Sequence, residues 1–433
     1  MQQSTFTSYA KGPCMDKHMD NLWRPFSAPG APASLRLRAS TGLVVTDDRN
    51  IEYLDCASGL WNMALGGAHD AVTGAIARTL GQLGYATLFD TSHDYAEQLA
   101  QLLLDKCALP GGAVYLSTTG SSAVETALRL ACVYQERAGR PGKRAVVSFD
   151  DSYHGGSWLA ALAGGLLQAE LAPTEQLAPA LFRRIPGPRD EAASLAALAA
   201  LLDAEGAAVG ALIVEPVLGS AGVIVPGQAY WAQLQLLCRK HDVVLIADEV
   251  ATGAGRCGTF LAAQALGLRP DIVALSKGLN AGYLPLGATV LAAPLAAVFR
   301  GAVPAVAMGS TQDGNPLGCS AALATQQFID QHDVLAGVLR KGEAIRCALA
   351  ERAYACVAAV RGLGLMIGIE LQHLGGQRFT VAESQRVRAE LKENGLLVYH
   401  FDGGISLFPA LTISDHEIDD MLDLLDTVLC RLF

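Results

Sequence analysis

From Ala113 onward, short apolar runs alternate with longer segments of helical spacing. Ala113–Ser117, Ala145–Phe149, Ala211–Val214, Val243–Ala247, Asp271–Ser276 and Leu286–Val290 read as strands. Their near-continuous apolar character marks strands covered on both faces, as in parallel sheets. The intervening pattern predicts helices over 94–107, from about Ala123, over 190–204 and over 227–240. The alternation predicts βαβ units: an α/β protein on a mostly parallel central sheet flanked by helices, with ligands at the carboxyl ends of the strands. Upstream, Leu35–Ala39 and Gly42–Thr46 lead through the turn Asp47–Asn50 to a returning strand, Ile51–Asp55, and then a helix over 69–83. Downstream the pattern predicts helices over 317–332 and 335–357, strands within 360–370, a helix over 384–394, a strand over 396–399 and a last helix over 415–432. Residues 1–20 read as a loose arm, and 164–210, rich in Ala, Leu and Pro, as a surface excursion leading into the 190–204 helix.

Polar residues collect where the strands end. Val243–Ala247 runs into Asp248 and Glu249, and the next strand runs into Lys277 and Gly278. An acid and a lysine at neighbouring strand ends can meet at one cofactor. Pyridoxal phosphate (PLP) requires this pair: a lysine amine condenses with its aldehyde as a Schiff base, and a carboxylate keeps the pyridine nitrogen protonated. The strand Ala113–Ser117 opens into Thr118-Thr119-Gly120-Ser121-Ser122 and a helix start. Free N–H groups and the helix dipole there suit a phosphate; a plain serine cap has the same geometry.

Asp248–Gly258 together with Ser276-Lys277-Gly278 resembles the class III (ornithine/ω-amino acid) aminotransferases of PLP fold type I. Thr119-Gly120-Ser121-Ser122-Ala123-Val124-Glu125, Tyr153-His154-Gly155 and Glu215-Pro216 are similar to further strings of that family, and the resemblance spans about residues 20 to 430. It implies that Lys277 is the Schiff-base lysine and Asp248 the pyridinium partner. Gly120 and Ser121 would hold the phosphate, Val250 and Tyr153 would take opposite ring faces, and His154 and Glu215 would complete the cofactor site. Leu60 and Trp61 would wall the substrate entrance, although Trp61 also reads as plain core. Leu88, Phe89 and Thr311 would reach the neighbouring subunit's site, so a homodimer with shared sites is implied. The implied division is 1–65 joining a small α+β domain, 66–315 as the large PLP-binding domain and 316–433 completing the small one.

The 433 residues are 51% hydrophobic and 17% charged, which suits a compact fold with a large core. A net charge of -10 argues against a nucleic-acid surface. No apolar run reaches membrane-spanning length, the first twenty residues lack an apolar signal core, and the ten cysteines have no metal-ligand spacing. A cytoplasmic protein with reduced cysteines and no metal is expected.

The departures from the family concern substrate. The arginine that grips a substrate carboxylate in ornithine- and GABA-type members is replaced by Ser406, and the glutamate that masks it by Ser220. In the diaminopelargonate and amine-transaminase register the position falls near Tyr399, with His400 the nearest residue able to carry positive charge. Either the substrate lacks an α-carboxylate, or another arginine, Arg24 or Arg256, grips it. The expected activity is ping-pong amino-group transfer between an amine or amino acid and a carbonyl acceptor. An aminomutase, decarboxylase or racemase on the same scaffold, or a PLP-binding regulator without turnover, stays open at this point.

Overall fold

The computed structural model describes residues 21–171 and 181–432, so the expected arm at 1–20 lies outside the described residues. The alternating segment forms one seven-stranded sheet. Its order is Ala113–Ser117, Gly287–Leu291, Ile272–Leu275, Val244–Asp248, Val209–Val214, Ala145–Phe149 and Phe182–Ile185. The last five strands pair in parallel. Gly287–Leu291 runs antiparallel to both its neighbours. Val209–Val214, Val244–Asp248 and Ile272–Leu275 are buried along their whole length, which explains why their sequences do not alternate.

Three expectations shift. The helix expected from about Ala123 begins at Gly120, because Thr119 and Ser122 form a reciprocal capping box ahead of the apolar spacing. Phe182–Ile185, inside the expected excursion, is an edge strand; its two arginines hide it from an apolar search. The helix expected over 335–357 is Val334–Arg352, ended by Ala353 at φ 45°, and a strand starts at Val357.

The chain ends build two smaller sheets. One orders Leu37–Thr41, Val44–Asp47, Glu52–Asp55 and Leu396–Leu397, the last pair parallel. The other orders Val357–Leu363, Met366–Leu371, Gly404–Leu407 and Tyr399–Phe401, all antiparallel. The single strand expected over 396–399 therefore divides between two sheets. One apolar cluster joins Leu43, Cys56 and Leu65 to Ile345, Ile367, Ile405 and Leu425, so residues far apart in sequence share a core. Burying each such side chain contributes about 1.5–3 kcal/mol.

Candidate active site

A cavity of about 430 Å3 opens at the carboxyl ends of the central strands. Trp61, Gly120, Ser121, Tyr153, His154, Glu215, Asp248, Val250 and Lys277, all singled out in the sequence, line it. Their convergence follows largely from the sheet: all but Trp61 stand at the end of a central strand or on the segment after it, and Trp61 comes from the turn after the small-sheet strand Glu52–Asp55.

Lys277 follows the strand Ile272–Leu275 and adopts φ 44°, a left-handed conformation at the first residue of a 3-10 turn. Ser276 fixes the approach by donating to Leu286 O at 2.6 Å. Loss of solvent around the Lys277 amine pushes its pKa down, while Asp248 and Glu215 pull it back up. The amine is thereby brought nearer to the neutral form that a nucleophile or base needs.

Asp248 is 4% exposed. Its Oδ2 lies 2.8 Å from His154 Nδ1, and its Oδ1 accepts from Val250 N at 3.1 Å. Glu215 accepts from Tyr153 N at 2.9 Å and Gly219 N at 3.1 Å, tying the Tyr153 loop to its own. Burial raises the Glu215 pKa to about 7 from 4.5, against a lowering by His154, and Asp248 adds to the rise. The folded chain thus keeps a proton that the unfolded chain sheds near pH 4.5, so this group's contribution falls as pH rises from about 4.5 to 7. Urea denaturation of the cofactor-free chain between pH 5 and 7.5 should show stability decreasing over that window, and Glu215→Gln should flatten the slope.

The adjacent acid, Glu249, serves the fold. It accepts from Ala262 N at 3.0 Å and Ala263 N at 2.7 Å, capping the short helix Ala262–Leu266, and takes the Thr252 hydroxyl at 2.5 Å.

The helix Gly120–Arg137 starts at the cavity, where its first-turn N–H groups have no acceptor within the helix. A Cβ on Gly120 would come 2.7 Å from Val250 Cγ1, so only glycine lets the helix end and Val250 approach this closely. Ser121 Oγ accepts from Gly156 N at 3.2 Å, and Glu125 Oε1 accepts from Ser157 Oγ at 2.7 Å and Leu159 N at 3.0 Å. The helix start and the Tyr153–Ser157 loop are thereby locked to each other. The buried His154 Nε2 has no partner among the described residues. A phosphate cradle, a buried acid and a lysine around one cavity fit PLP.

Ser58, Gly59, Leu60 and Trp61 have φ of 47°, 55°, 70° and 68°. This is one turn of left-handed helix, costing roughly 1–2 kcal/mol for each residue with a Cβ. It leaves Leu60 56% exposed and away from the cavity, and presents Trp61 to it with Lys277 Nζ 4.8 Å from the ring centroid. Phe89 and Thr311 are exposed and do not line the cavity of one chain; Tyr85 Oη donates to Thr311 O at 2.8 Å, so their loops lie together. His400 does not line it either. Burial lowers its pKa to about 4, with Arg388 acting the same way, so it carries no charge at neutral pH.

No arginine lines the cavity among the described residues. Arg256 is buried and donates to Leu365 O at 3.1 Å and Pro409 O at 2.5 Å, a bond between the core and the C-terminal segment. Arg24 stands outside the lining, with Nη2 buried and without a partner among the described residues. Ser406 is fully buried in its sheet, across from Tyr399. The sequence reading passed over Asn62, Asn280, Tyr283, Leu284 and Pro285, which also line the cavity. The loop after Lys277 contains four of them, and its Asn, Gly and Pro content was the signal available.

The family model for Aminotransferase class-III matches residues 26–429. The chain belongs to that family, whose members are PLP-dependent. It is 31% identical over 429 residues to the adenosylmethionine-8-amino-7-oxononanoate aminotransferase of Geobacter sulfurreducens, covering 93% of this chain and 94% of that one. It is 30% identical over 436 residues to an omega-aminotransferase of Caulobacter vibrioides, covering 95% and 97%. Among solved structures, a PLP-bound amine transaminase from an uncultivated Pseudomonas species superposes with a TM-score of 0.86 at 32% identity, over 95% of this chain and 99% of that one. The fold is PLP fold type I and the activity PLP-dependent amino-group transfer, which favours transamination over the other reactions considered. No helix among the described residues is long and apolar enough to cross a membrane.

Proposed function

We propose that Lys277 is the lysine of this transaminase and that its substrates include amines without an α-carboxylate. The observation that carries the substrate reading is the cavity lining. Among the described residues its only lysine, arginine or histidine side chains are Lys277 and His154, and His154 is already paired with Asp248. A substrate carboxylate there would lose its hydration and meet Glu215 and Asp248 without a guanidinium. The amine transaminase neighbour supports the same class.

Bound PLP supplies an aldehyde for Schiff-base formation with an amine and a ring that accepts the electrons of a deprotonated carbon. Gly120 and Ser121 would hold its phosphate, Asp248 its pyridinium, and Val250 and Tyr153 its two faces. The Lys277 amine would take the proton from the donor carbon and hold it for return, a transfer that its lowered pKa assists. His154 fixes the Asp248 carboxylate, and Glu215 fixes the Tyr153 loop.

We also propose a homodimer in which Leu88, Phe89 and Thr311 face the partner's site. Their exposure and the Tyr85–Thr311 hydrogen bond support one continuous surface. The division at 65 and 315 belongs to the same proposal, and the parallel pairing of Leu396–Leu397 with Leu54–Asp55 supports joining the chain ends. Buried, unpaired Cys56, Cys107, Cys238, Cys257 and Cys319 suit a reducing compartment such as the cytoplasm.

The test is a half-reaction screen. The PLP-loaded protein is mixed with single donors and no acceptor, and conversion to pyridoxamine phosphate is followed by absorbance. Amines such as 1-phenylethylamine should convert the cofactor faster than α-amino acids of similar size. Conversion by α-amino acids alone would overturn the substrate reading.

A further inference from the structure

The left-handed turn at Ser58–Trp61 closes its own bonds, Trp61 N to Ala57 O at 2.7 Å and Asn62 N to Ser58 O at 2.8 Å. L-residues adopt such a run only where the surroundings enforce it, and such strain collects at functional sites. Two tethers enforce it here. Asp55 ends the strand Glu52–Asp55 and turns its carboxylate back on the chain, Oδ1 accepting from Ala57 N at 3.0 Å and Oδ2 from Gly59 N at 2.9 Å. Asp55 is 7% exposed and has no cationic partner among the described residues. Ser58 Oγ donates to Phe408 O at 2.6 Å, pinning the turn to the C-terminal segment.

The turn places one side chain. The Trp61 indole stacks on Phe408 with centroids 4.2 Å apart and meets Tyr399 edge-on at 5.1 Å. A Cβ on Gly219 would come 2.9 Å from Trp61 Cζ3, so the loop after Glu215 closes against the ring as well. The indole thus forms a wall of the cavity, with Lys277 Nζ above it. A relaxed, right-handed backbone at 58–61 would aim that side chain elsewhere.

We infer that Asp55 is a positioning residue for substrate selection: by holding the left-handed turn it sets where the Trp61 indole stands and hence the width of the substrate side of the cavity. The inference rests on the proposed reading of the Trp61 wall as the substrate side.

The test is a double-mutant cycle on the PLP-loaded enzyme. Asp55→Asn, Trp61→Ala and the double variant are compared with the parent by half-reaction kcat/KM for a wide donor, 1-phenylethylamine, and a narrow one, isopropylamine. Trp61→Ala should raise the wide-to-narrow ratio by about 100-fold. Asp55→Asn should raise it by about tenfold when Trp61 is present and by less than about twofold when Trp61 is alanine. A purely structural Asp55 would lower both rates together and leave the ratio unchanged, which overturns the inference. If Trp61→Ala leaves the ratio unchanged, or the parent converts neither donor, the reading of the wall fails and the inference falls with it; either result is visible without any Asp55 variant. If Asp55→Asn does not fold, Ser58→Ala goes through the same cycle. It cuts only the tie to Phe408 and should shift the ratio in the same direction, and no shift overturns the inference.

Discussion

Replacing Lys277 by alanine is expected to lower the rate of amino-group transfer by about 10⁴-fold or more while leaving the fold in place. The size follows from two duties on one atom. The Lys277 amine is the nucleophile proposed to hold the cofactor, and the base proposed to move the proton. Neither has a substitute among the described side chains that line the cavity. His154 is engaged with Asp248 at 2.8 Å, Glu215 is spent on two backbone N–H groups, and Tyr153 has its hydroxyl pKa raised to about 12 by burial, with Tyr399, Asp248 and Glu215 adding to the rise. Stability should change little. The lysine side chain points into the cavity, and the strand before it is held by its own ladder and by the Ser276–Leu286 bond. The measurement is product formation from an amine donor and pyruvate, beside a thermal denaturation curve. Added ammonia or a small primary amine should recover part of the lost proton-transfer rate. A variant that keeps more than about 1% of the parent rate would remove Lys277 from the mechanism.

The chemistry of this site was legible because buried strands end abruptly. Asp248 and Lys277 stand out as the first charged residues after apolar runs, and the parallel ladder brings those ends side by side. Gly120 was legible for a related reason: a small-residue loop between a strand and a helix suits a phosphate or a plain cap, and in the structure Gly120 lines the cavity. What stayed hidden had no periodic signature. The Phe182–Ile185 edge strand has arginines where an interior strand would have aliphatics. The run from Leu396 to Phe401 changes sheets near Val398, and an apolar pattern carries no mark of which partner a strand takes. The left-handed turn at 58–61 was the deepest omission. Gly59 is its sole glycine, Asp55 reads as an ordinary strand end, and one of its two tethers reaches it from Phe408, 350 residues away. Apolar spacing reports helices and strands, whereas that turn is held by a side-chain carboxylate and a tertiary contact that leave no periodic mark.

The second large effect is expected at Asp248. Asparagine has nearly the same shape and can still accept from Val250 N, a bond of 3.1 Å in the parent. Only the charge goes. That charge lies in a buried setting, 4% exposed, where a fixed carboxylate acts on its neighbours far more strongly than in water. Its proposed partner, the pyridinium, would lose the anion that keeps it protonated. His154 would at the same time face an amide across the 2.8 Å contact. Asp248→Asn should therefore lower kcat by about 10²–10³-fold, the range seen when one preorganised electrostatic contact is removed. KM for the donor amine should move much less, because Asp248 is assigned to the cofactor and not to the substrate. His154→Ala should cost less, about tenfold, since it leaves the charge and removes only one of the bonds that aim it. Steady-state kinetics on the three proteins, with cofactor occupancy measured in each, separates these effects. Equal losses for Asp248→Asn and His154→Ala would mean that orientation matters more than charge. A loss confined to KM would move Asp248 from the cofactor to the substrate.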